Sequence, residues 1–544
     1  MDPIMLAVMR GALEQIAEEM DTLIASSAIS PVIADAWDRA SGIFHPETGE
    51  VIVQGATGLP IFIVVMQHTV QEVLKDHPPA TMRPGDIFIV NDPYRGGTHT
   101  MDVKFVMPYF QDGKLLAILA NTGHWPDVGG MTPGGFTPCS TDVYQEGLRF
   151  PPIKIYDGGK LNDALLSVMM TNMRVAEERK GDMAAQINAL RLGARRLDEL
   201  FGKYGERTVF EAVDELKARS EMLMRGHISA IPDGSYHAQD WMDNDGVETA
   251  PILLDLVLTV AGDSITFDLS GSAPQCRGPF NSPYSSTISA LMIGMKHVFA
   301  DVPINAGCFV PFEFIVPEGS MFNPLPPAPV SATTTETAQR LVGLTMEALG
   351  KAIPGTVPAG AYCTGTNIGL GGESPRHGRY ATIFYFGGGY GGNPDSDGLT
   401  NGATLISASR NSSIEVLEHN VPLLFTRYAV REGSAGDGRY RGGLGVEIDF
   451  ELREGSAYLT LVADRGRGGP GGAAGGEPGK AADHAFVRDG QAFKSDYVSK
   501  IDRLYLRQGD GVRLRTPGGG GYGPPQARSA AARESDLRQG YVKP

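Results

Sequence analysis

Residues 91–130, NDPYRGGTHTMDVKFVMPYFQDGKLLAILANTGHWPDVGG, are the stretch around which the rest of the chain is organised. The segments 103–110 and 114–121 are apolar and partly β-branched, and Asp112-Gly113 between them is a strong signal for a two-residue turn. The stretch therefore predicts one β-hairpin, with polar and glycine-rich sequence at both of its open ends.

Two histidines lie at these open ends. Closing the hairpin at the predicted turn places His124 opposite Met101 and puts His99 on the same face, within reach of one metal ion. Asp102 would point to the other face of an ideal strand, because side chains alternate with a period of two. It joins the histidines only if residues 98–102 form a turn or a bulge, which the glycines just before them allow.

Two neutral imidazoles and one carboxylate, with open coordination positions left over, suit a divalent metal such as Mn, Zn or Fe. Such an ion activates water near neutral pH or polarises a carbonyl group. On spacing alone, however, an H-x-x-D pair is common, and a histidine near a hairpin is more often a structural residue. Both interpretations stay open on the hairpin pattern alone.

Further motifs along the chain carry a family resemblance. They are NDPYRGGTHTMD, GHWPDVGG, YQEGLRFPPIKIY, NMRVAEERKGDMAAQ, IPDGSYHAQDWMDNDG, FDLSGSAPQCRGPFNSP, NAGCFVPFEFIVPEGSMFNP, GRYRGGLGV and TPGGGGYGPP. Together they resemble the B-subunit family of ATP-dependent hydantoinases and 5-oxoprolinases. That family includes the caprolactamase small subunit and the metal-bearing subunits of acetone and acetophenone carboxylases. The resemblance covers nearly the whole chain, in order.

The resemblance implies a set of site residues. The metal ligands of the family correspond to His99, Asp102 and His124. Asp38 lies in a segment similar to the family's SPxIxxxxD pattern, and is expected as a fourth ligand or as a hydrogen-bond acceptor behind a histidine. A solvated loop carboxylate or a turn cap is the structural alternative for Asp38.

Three more residues are candidates for the chemistry. Asp127 or Glu146 would act as general base toward a metal-bound water, or would orient the imidazoles. Arg149 would bind an anionic or carbonyl group of the substrate, with a structural ion pair as the alternative. Cys139 follows the hairpin closely, but no motif marks it as a nucleophile, so we expect a buried, inert thiol.

The activity that the resemblance implies is ATP-dependent hydrolysis of a cyclic amide of the lactam, hydantoin or 5-oxoproline type. A hydantoinase A-type partner, holding ATP and Mg, would phosphorylate the ring amide oxygen, and this chain would deliver metal-activated water to the activated carbon. The expected assembly is an (αβ)2 heterotetramer. The alternatives are a metal-bearing subunit of an ATP-dependent ketone carboxylase, and a scaffold subunit whose metal is structural.

Composition excludes several other classes. The chain has 544 residues and a formal net charge of −16, which disfavours binding to nucleic acid or to anionic membrane surfaces. It contains no apolar run long enough for a transmembrane helix, and its N-terminus lacks the pattern of a signal peptide. The four cysteines are scattered and form no C-x-x-C motif, so we expect free thiols in a reducing cytoplasm.

The predicted fold is α+β and β-rich, with a helical segment around residues 161–230 and a β-rich C-terminal region. The predicted domains are a metal-binding domain at 1–230, a β-rich part at 231–525 and a polar tail at 526–544. The glycine runs at 387–398, 466–479 and 517–523 lack the G-K-[ST] of a phosphate-binding loop. They are interpreted as tight loops or surface linkers.

Overall fold

The computed structural model describes residues 1–407 and 409–542. Its helices are α1 (Pro3–Ser27), α2 (Pro31–Ala34), α3 (Phe62–Asp76), α4 (Asp163–Thr171), α5 (Ala176–Tyr204), α6 (Glu206–Ile228), α7 (Tyr284–Val298), α8 (Ala338–Ala352), α9 (Ile414–Asn420) and α10 (Ala530–Arg538). A π-helical turn at Thr333–Thr337 leads directly into α8. The predicted helical segment around residues 161–230 is therefore confirmed as α4, α5 and α6.

The strands alternate with these helices and dominate the C-terminal half. They are β1 (Arg39–Phe44), β2 (Val51–Gln54), β3 (Ile87–Val90), β4 (Asp102–Gln111), β5 (Lys114–His124), β6 (Ile153–Asp157), β7 (Lys160–Leu161), β8 (Gly234–Met242), β9 (Ile252–Ala261), β10 (Ser264–Asp268), β11 (Phe312–Ile315), β12 (Asn367–Ser374), β13 (Gly378–Tyr385), β14 (Leu423–Val430), β15 (Val446–Leu452), β16 (Ser456–Val462), β17 (Ala485–Arg488), β18 (Gln491–Phe493), β19 (Lys500–Arg507) and β20 (Gly511–Arg515).

Within the described residues these strands form four sheets. Their strand orders are β2-β1-β5-β4-β3-β6-β7, β11-β10-β9-β8, β13-β12-β16-β19 and β14-β15-β20-β17-β18. Neighbouring strands are antiparallel except for β10 and β11, which run parallel. The α+β class predicted from the sequence is confirmed. None of the helices in the described part of the chain has the length and hydrophobicity that a bilayer crossing requires.

Helix α1 shows how the sequence sets the N-terminal packing. The Asp2 carboxylate caps the helix by accepting a hydrogen bond from the Met5 amide at 3.0 Å, and Pro3 occupies the first turn, where its missing N–H costs nothing. The apolar stripe that includes Met9, Leu13 and Met20 is buried. It packs α1 against α5 and so places both helices beside the sheet that contains the predicted hairpin.

That hairpin exists as β4 and β5, but its register differs from the prediction. Gln111 pairs with Lys114 as the turn requires, whereas a β-bulge beyond Phe110 shifts all later pairs by one residue. His124 therefore lies opposite Asp102, and the prediction that it lies opposite Met101 is wrong. Residues directly opposite each other share a face, so the bulge brings the carboxylate to the histidine.

Two apolar cores hold these layers together. The first contains residues from Leu6 to Val462 and involves the seven-stranded sheet, the sheet of β8 to β11 and helices α1 to α8. The second lies among β12 to β16 and β20, where two sheets face each other. The first core contains both Ile228 and Leu254, on either side of the predicted domain boundary near residue 231, and that boundary stays a prediction.

The glycine runs are not loose linkers. Residues 387–389 and 516–521 are buried, and their backbones bond directly to each other and to further glycines. Gly389 N donates to Pro517 O at 3.0 Å, Gly392 N to Gly520 O at 2.8 Å, and Gly519 N to Gly443 O at 2.9 Å. The interpretation as surface linkers is wrong for 387–392 and 517–521, because only residues without Cβ allow backbones to approach so closely.

This packing predicts a large stability loss for alanine at Gly519. A Cβ there would lie 1.9 Å from Tyr390 O, so the backbones would have to separate and lose their hydrogen bonds. We expect Gly519→Ala to lower the free energy of unfolding by about 3 kcal/mol or more. Gly468→Ala is the control, since nothing lies within 4 Å of its Cβ position. Equal denaturant midpoints for the two variants would contradict the prediction.

The C-terminal segment is docked rather than free. Asp536 in α10 accepts a hydrogen bond from Arg441 Nε at 3.0 Å and another from Arg528 Nε at 2.8 Å. The Tyr541 ring lies 4.7 Å from the Arg441 guanidinium. These contacts hold the polar tail against the loop that follows β14.

Candidate metal centre

The hairpin ends place three side chains at one point. Asp102 is the first residue of β4 and pairs directly with His124, the last residue of β5. His99 lies in the turn just before β4, which is closed by a hydrogen bond from Asp102 N to His99 O at 3.3 Å. Both the bulge in the hairpin and the turn before β4 are needed for the three to meet.

The three side chains are close enough to hold one ion. One potential ligand atom from each of His99, Asp102 and His124 lies within 4.8 Å of the others. His124 Nδ1 is 3.2 Å from Asp102 Oδ1, and His99 Nδ1 is 3.5 Å from Asp102 Oδ2. The two imidazole planes are nearly perpendicular at 87°. Metal ligation by these residues stays a prediction.

Two buried nitrogens support the fit to a cation. His99 Nδ1 and His124 Nε2 have no hydrogen-bond partner among the described residues, although both side chains are almost completely buried. A buried polar atom without a partner is costly, and an ion or an ordered water would remove that cost. Phe136 packs edge-on against His99 and stacks on His124 with its ring centroid 5.6 Å away, which fixes both rings.

The pKa shifts of these three residues suit the binding of a divalent ion. Burial lowers the pKa of His99 to about 3, so its ring is neutral and free to act as a ligand. Burial opposes ionisation of Asp102, but His99, His124 and Lys104 outweigh it and hold the pKa of that carboxyl below its usual range. Burial likewise opposes charge on His124, whereas Asp38 and Asp102 raise its pKa. A metal would replace the proton that these carboxylates favour on His124.

Asp38 lies next to this cluster. Its Oδ2 is 3.7 Å from His124 Nδ1, and its main-chain oxygen accepts a hydrogen bond from His124 N at 3.0 Å. The preceding residue, Trp37, has a left-handed φ of 63° and lies under the Arg410 guanidinium at 3.9 Å. Strained backbone of this kind persists only where surrounding contacts impose it. Burial raises the pKa of Asp38 to about 7.

The position of Asp38 predicts a defect in metal binding for a neutral replacement. Asp38→Asn keeps the shape but removes the charge that faces His124, so we expect metal affinity or turnover to fall by roughly 10–100-fold. Metal titration of the purified variant measures this effect. Asp35→Asn, on an exposed carboxylate in the same loop, is the control. Unchanged metal affinity and rate in Asp38→Asn would leave Asp38 a structural loop carboxylate.

The cluster opens into a cavity of about 50 Å³, measured to the centres of water molecules, which is enough for a few waters. Its walls come from segments far apart in sequence. The apolar residues are Leu59, Ile61, Phe62, Phe136, Ile383 and Ile406, and the polar ones are Thr334, Thr335, Gln339, Asn367, Tyr385, Thr404, Ser407 and Ser409. Thr334 and Thr335 belong to the π-helical turn, an irregularity that is frequent at functional sites.

Asp127 does not line this cavity. It is fully buried, and its Oδ2 accepts a hydrogen bond from Arg174 Nη1 at 2.8 Å while its Oδ1 accepts one from Gly129 N at 2.9 Å. These contacts fix the loop that follows His124. The role of Asp127 as general base stays a prediction without support from this geometry.

Glu146 is likewise outside the cavity lining. Its carboxylate accepts hydrogen bonds from Ser140 Oγ at 2.8 Å, Val330 N at 3.0 Å and Ser331 N at 2.9 Å. Burial raises the pKa of Glu146 to about 7, although these donors oppose the shift. The contacts favour an anchor for the 328–332 segment, just ahead of the π-helical turn, over a proton-transfer group.

Two replacements of Glu146 distinguish a structural anchor of the 328–332 segment from a general base. Glu146→Gln preserves an acceptor oxygen, so we expect stability within about 1–2 kcal/mol of the parent and turnover within about tenfold. Glu146→Ala leaves two buried amides without an acceptor and should cost about 3 kcal/mol or more. Thermal unfolding and turnover are measured for both variants. A stable Glu146→Gln that loses about 100-fold or more in kcat would instead identify a general base.

The remaining candidates also have structural partners. Arg149 lies 3.4 Å from the Asp92 carboxylate and 4.9 Å from the Tyr144 ring, and it does not line the cavity. Substrate binding by Arg149 stays a prediction. Cys139 is half-buried, and burial raises the pKa of its thiol to about 11, which keeps it protonated and unreactive.

Sequence reasoning missed most of the cavity wall, and it also missed Lys104, which lies beside the metal cluster but does not line the cavity. Lys104 carried a signal, since a lysine inside an otherwise apolar strand needs a reason. It is buried, donates from Nζ to Asp102 O at 3.1 Å, and burial lowers its pKa to about 8. No pattern in a single sequence marks Gln339 or Asn367 as a site residue, because each becomes part of the site only through tertiary packing.

Fold and site together define an α+β protein with a buried His–Asp–His cluster that suits a divalent metal. A family model described as Hydantoinase B/oxoprolinase matches residues 2–525. The chain belongs to this family, as the sequence motifs indicated.

Two related subunits are similar in sequence to this chain over nearly its full length and theirs. The B subunit of the putative D-/L-hydantoinase of Pseudomonas sp. (strain NS671) is 31% identical over 560 residues, covering 99% of this chain and 93% of the relative. The beta subunit of caprolactamase from Pseudomonas jessenii is 31% identical over 559 residues, covering 99% and 94%. The crystal structure of ATP-dependent caprolactamase from that organism superposes with a TM-score of 0.92 at 28% identity, covering 100% of this chain and 95% of the matched chain.

A nucleotide-free structure of acetone carboxylase also matches. Its TM-score is 0.90 at 18% identity, and the match covers 99% of this chain and 78% of the other. At this identity the likeness shows a shared fold and no shared activity.

Proposed function

We propose that this chain is the metal-dependent subunit of an ATP-dependent cyclic-amide hydrolase. The observation that carries the proposal is the buried cluster of His99, Asp102 and His124 beside a cavity lined by both apolar and polar side chains. The full-length similarity to the beta subunit of caprolactamase and to the B subunit of a hydantoinase supports the choice of cyclic amides. Relatives named as subunits support a partner chain of the hydantoinase A type.

The division of chemistry follows from the reactivity of amides. An unactivated ring amide is a poor electrophile, and phosphorylation of its oxygen by the ATP-binding partner would make the ring carbon electrophilic. Water would add to that carbon, the C–N bond would break as the ring nitrogen takes up a proton, and the acyl phosphate left behind would be hydrolysed by a second water to the carboxylate and phosphate. A divalent ion held by His99, Asp102 and His124 would supply Lewis acidity and would lower the pKa of water. Asp38 would orient His124 and accept a proton near that position, since its carboxyl lies 3.7 Å from the imidazole.

The protein's own residues would also control water. Phe62, Phe136 and Ile383 form apolar walls close to the metal cluster. Such walls exclude bulk water, which protects an activated intermediate from premature hydrolysis and strengthens nearby electrostatic interactions. The small cavity would admit only a few water molecules at a time.

The experiment is reconstitution with the partner subunit. The purified complex, loaded with Mn, Zn or Fe, is incubated with Mg-ATP and a panel of lactams and hydantoins, and ring-opened products are measured by mass spectrometry. We expect ring opening that requires ATP and is lost after chelation. Product that appears only with bicarbonate and a ketone would favour the carboxylase alternative. Full activity after complete metal removal would favour a scaffold role.

A further inference from the structure

The cavity next to the metal cluster has a distinctive charge pattern, which bears on the charge of the substrate. Among the described residues that line it, none is lysine or arginine, whereas Asp38 and Asp102 both contribute carboxylates. Residue 408, which lies outside the described residues, is an alanine and has no charge to add. The buried Lys104 directs its ammonium group to the main-chain oxygen of Asp102.

This pattern leaves no partner for a substrate carboxylate. One divalent ion would balance the two carboxylates, so a further negative charge inside the cavity would be buried without compensation. Burying an unpaired charge is strongly unfavourable. The lining hydroxyl groups are neutral and cannot balance a carboxylate, and the Tyr385 hydroxyl already donates to Arg410 O at 3.2 Å while Thr404 bonds to Ser407 at 2.7 Å.

Amide oxygens in the wall point to the opposite preference. Gln339 is completely buried, and its Nε2 donates to Thr335 O at 2.6 Å, which fixes the orientation of the amide. Its Oε1 has no hydrogen-bond partner among the described residues, and the same holds for Asn367 Oδ1. Two buried acceptors without donors suit a ligand that presents N–H groups, and they repel a carboxylate.

Resting on the proposed function, we propose that this chain is specific for uncharged rings. The substrate class is a neutral lactam or hydantoin whose ring N–H donates to Gln339 Oε1. A ring that carries a carboxylate, such as 5-oxoproline, is rejected. Gln339 and the absence of a cation in the described wall are the determinants of this specificity.

A matched pair of rings tests the inference. 2-Pyrrolidinone and 5-oxoproline have the same five-membered lactam ring and differ only by the carboxylate. With the complete complex, Mg-ATP and metal, we expect kcat/KM to favour 2-pyrrolidinone by about 100-fold or more. Equal or reversed preference overturns the inference while leaving ring hydrolysis intact. Failure to open any cyclic amide overturns the proposed function instead.

A binding measurement tests the inference independently of turnover. Calorimetric titration of the metal-loaded chain should show binding of 2-pyrrolidinone and weaker or undetectable binding of 5-oxoproline. Equal affinities, tighter binding of 5-oxoproline, or no binding of the neutral ring would each overturn it. Because this measurement needs no partner and no ATP, it still decides the matter when the proposed function fails.

Single replacements in the cavity wall test which residues determine the preference for neutral rings. Gln339→Met keeps the length of the side chain but removes the amide, and should weaken 2-pyrrolidinone binding about tenfold with metal content unchanged. Gln491→Met, on the exposed strand β18, is the control. Ser407→Lys adds a cation at the half-buried rim, and should improve 5-oxoproline relative to 2-pyrrolidinone about tenfold over the neutral Ser407→Gln. Unchanged preferences in both comparisons would overturn the assignment.

Discussion

Replacing His124 by alanine is expected to remove bound metal and turnover together. His124 and Asp102 are directly paired across the hairpin, and His99 completes the cluster within 4.8 Å. Loss of one imidazole leaves a histidine and a carboxylate, too few protein ligands to hold a divalent ion in competition with water. We expect metal affinity to fall by at least about 100-fold, more than the loss of a supporting residue costs.

The fold should survive this replacement. The replacement removes the contact of Nδ1 with Asp102 Oδ1 at 3.2 Å but no hydrogen bond at Nε2, and it keeps the main-chain pairing of residue 124 with Asp102 and its main-chain hydrogen bond to Asp38 O. The variant should purify with the far-UV spectrum of the parent and assemble with its partner. Elemental analysis, performed on the same sample as the rate measurement, then links loss of metal to loss of activity.

His237→Ala is a matched control. His237 also pairs with a carboxylate, Asp255, at 3.0 Å, but its side chain is half exposed on β8. An exposed pair contributes little, and we expect parental metal content and rate in this variant. Full metal occupancy in His124→Ala would refute the assignment of the ligand set, and parental turnover in metal-free His124→Ala would refute the catalytic role of the ion.

The hairpin shows how far a sequence can predict a site. Alternating apolar residues and the Asp-Gly turn identified both strands and the two histidines, because these signals are local. The bulge beyond Phe110 was not predictable, since it depends on how the strand fits its neighbours in the sheet. One inserted residue moved Asp102 from the wrong face to the correct one, the usual consequence of a register shift.

Residues outside the hairpin mark the limit of that reasoning. Glu146 and Asp127 were candidates because they are acidic and follow the histidines, yet both accept hydrogen bonds that hold loops in place. Asp38 was reached through its family motif, and no local pattern would have placed it 3.7 Å from His124. Gln339 and Asn367 were missed altogether, because amides acquire a role only through the surroundings that burial gives them.

The glycine runs illustrate a different limit. Their composition resembles that of flexible linkers, and a single sequence gives no reason to expect otherwise. In the fold these glycine segments bury one another, because a segment of glycines has no side chains and its backbone can pack against several neighbouring segments at once. Gly519 bonds to both Gly436 and Gly443. The same composition therefore produces either disorder or dense packing, depending on which other segments are present.

The single chain is expected neither to hydrolyse ATP nor to open its substrate ring. The sequence contains no G-x-x-x-x-G-K-[ST] motif. In the buried glycine segments, the amides of Gly389, Gly392 and residues 518–521 donate to other backbone oxygens, so these amides are not free to hold phosphates. Without ATP the ring amide is not activated, and water activated by a metal still faces a high barrier to amide hydrolysis.

The test compares the single chain with the reconstituted complex. The purified chain, saturated with metal, is assayed with Mg-ATP and a neutral lactam, both for phosphate release and for ring-opened product, and the ATP-binding partner is then added to the same sample. We expect neither product before the addition and both afterwards, with phosphate and ring-opened product formed in proportion. A partner variant that cannot bind ATP should restore nothing, since the missing step is activation of the amide and not assembly. ATP-dependent ring opening by the single chain would refute both the requirement for a partner and the proposed division of chemistry, because this chain would then have to contain its own site for phosphoryl transfer.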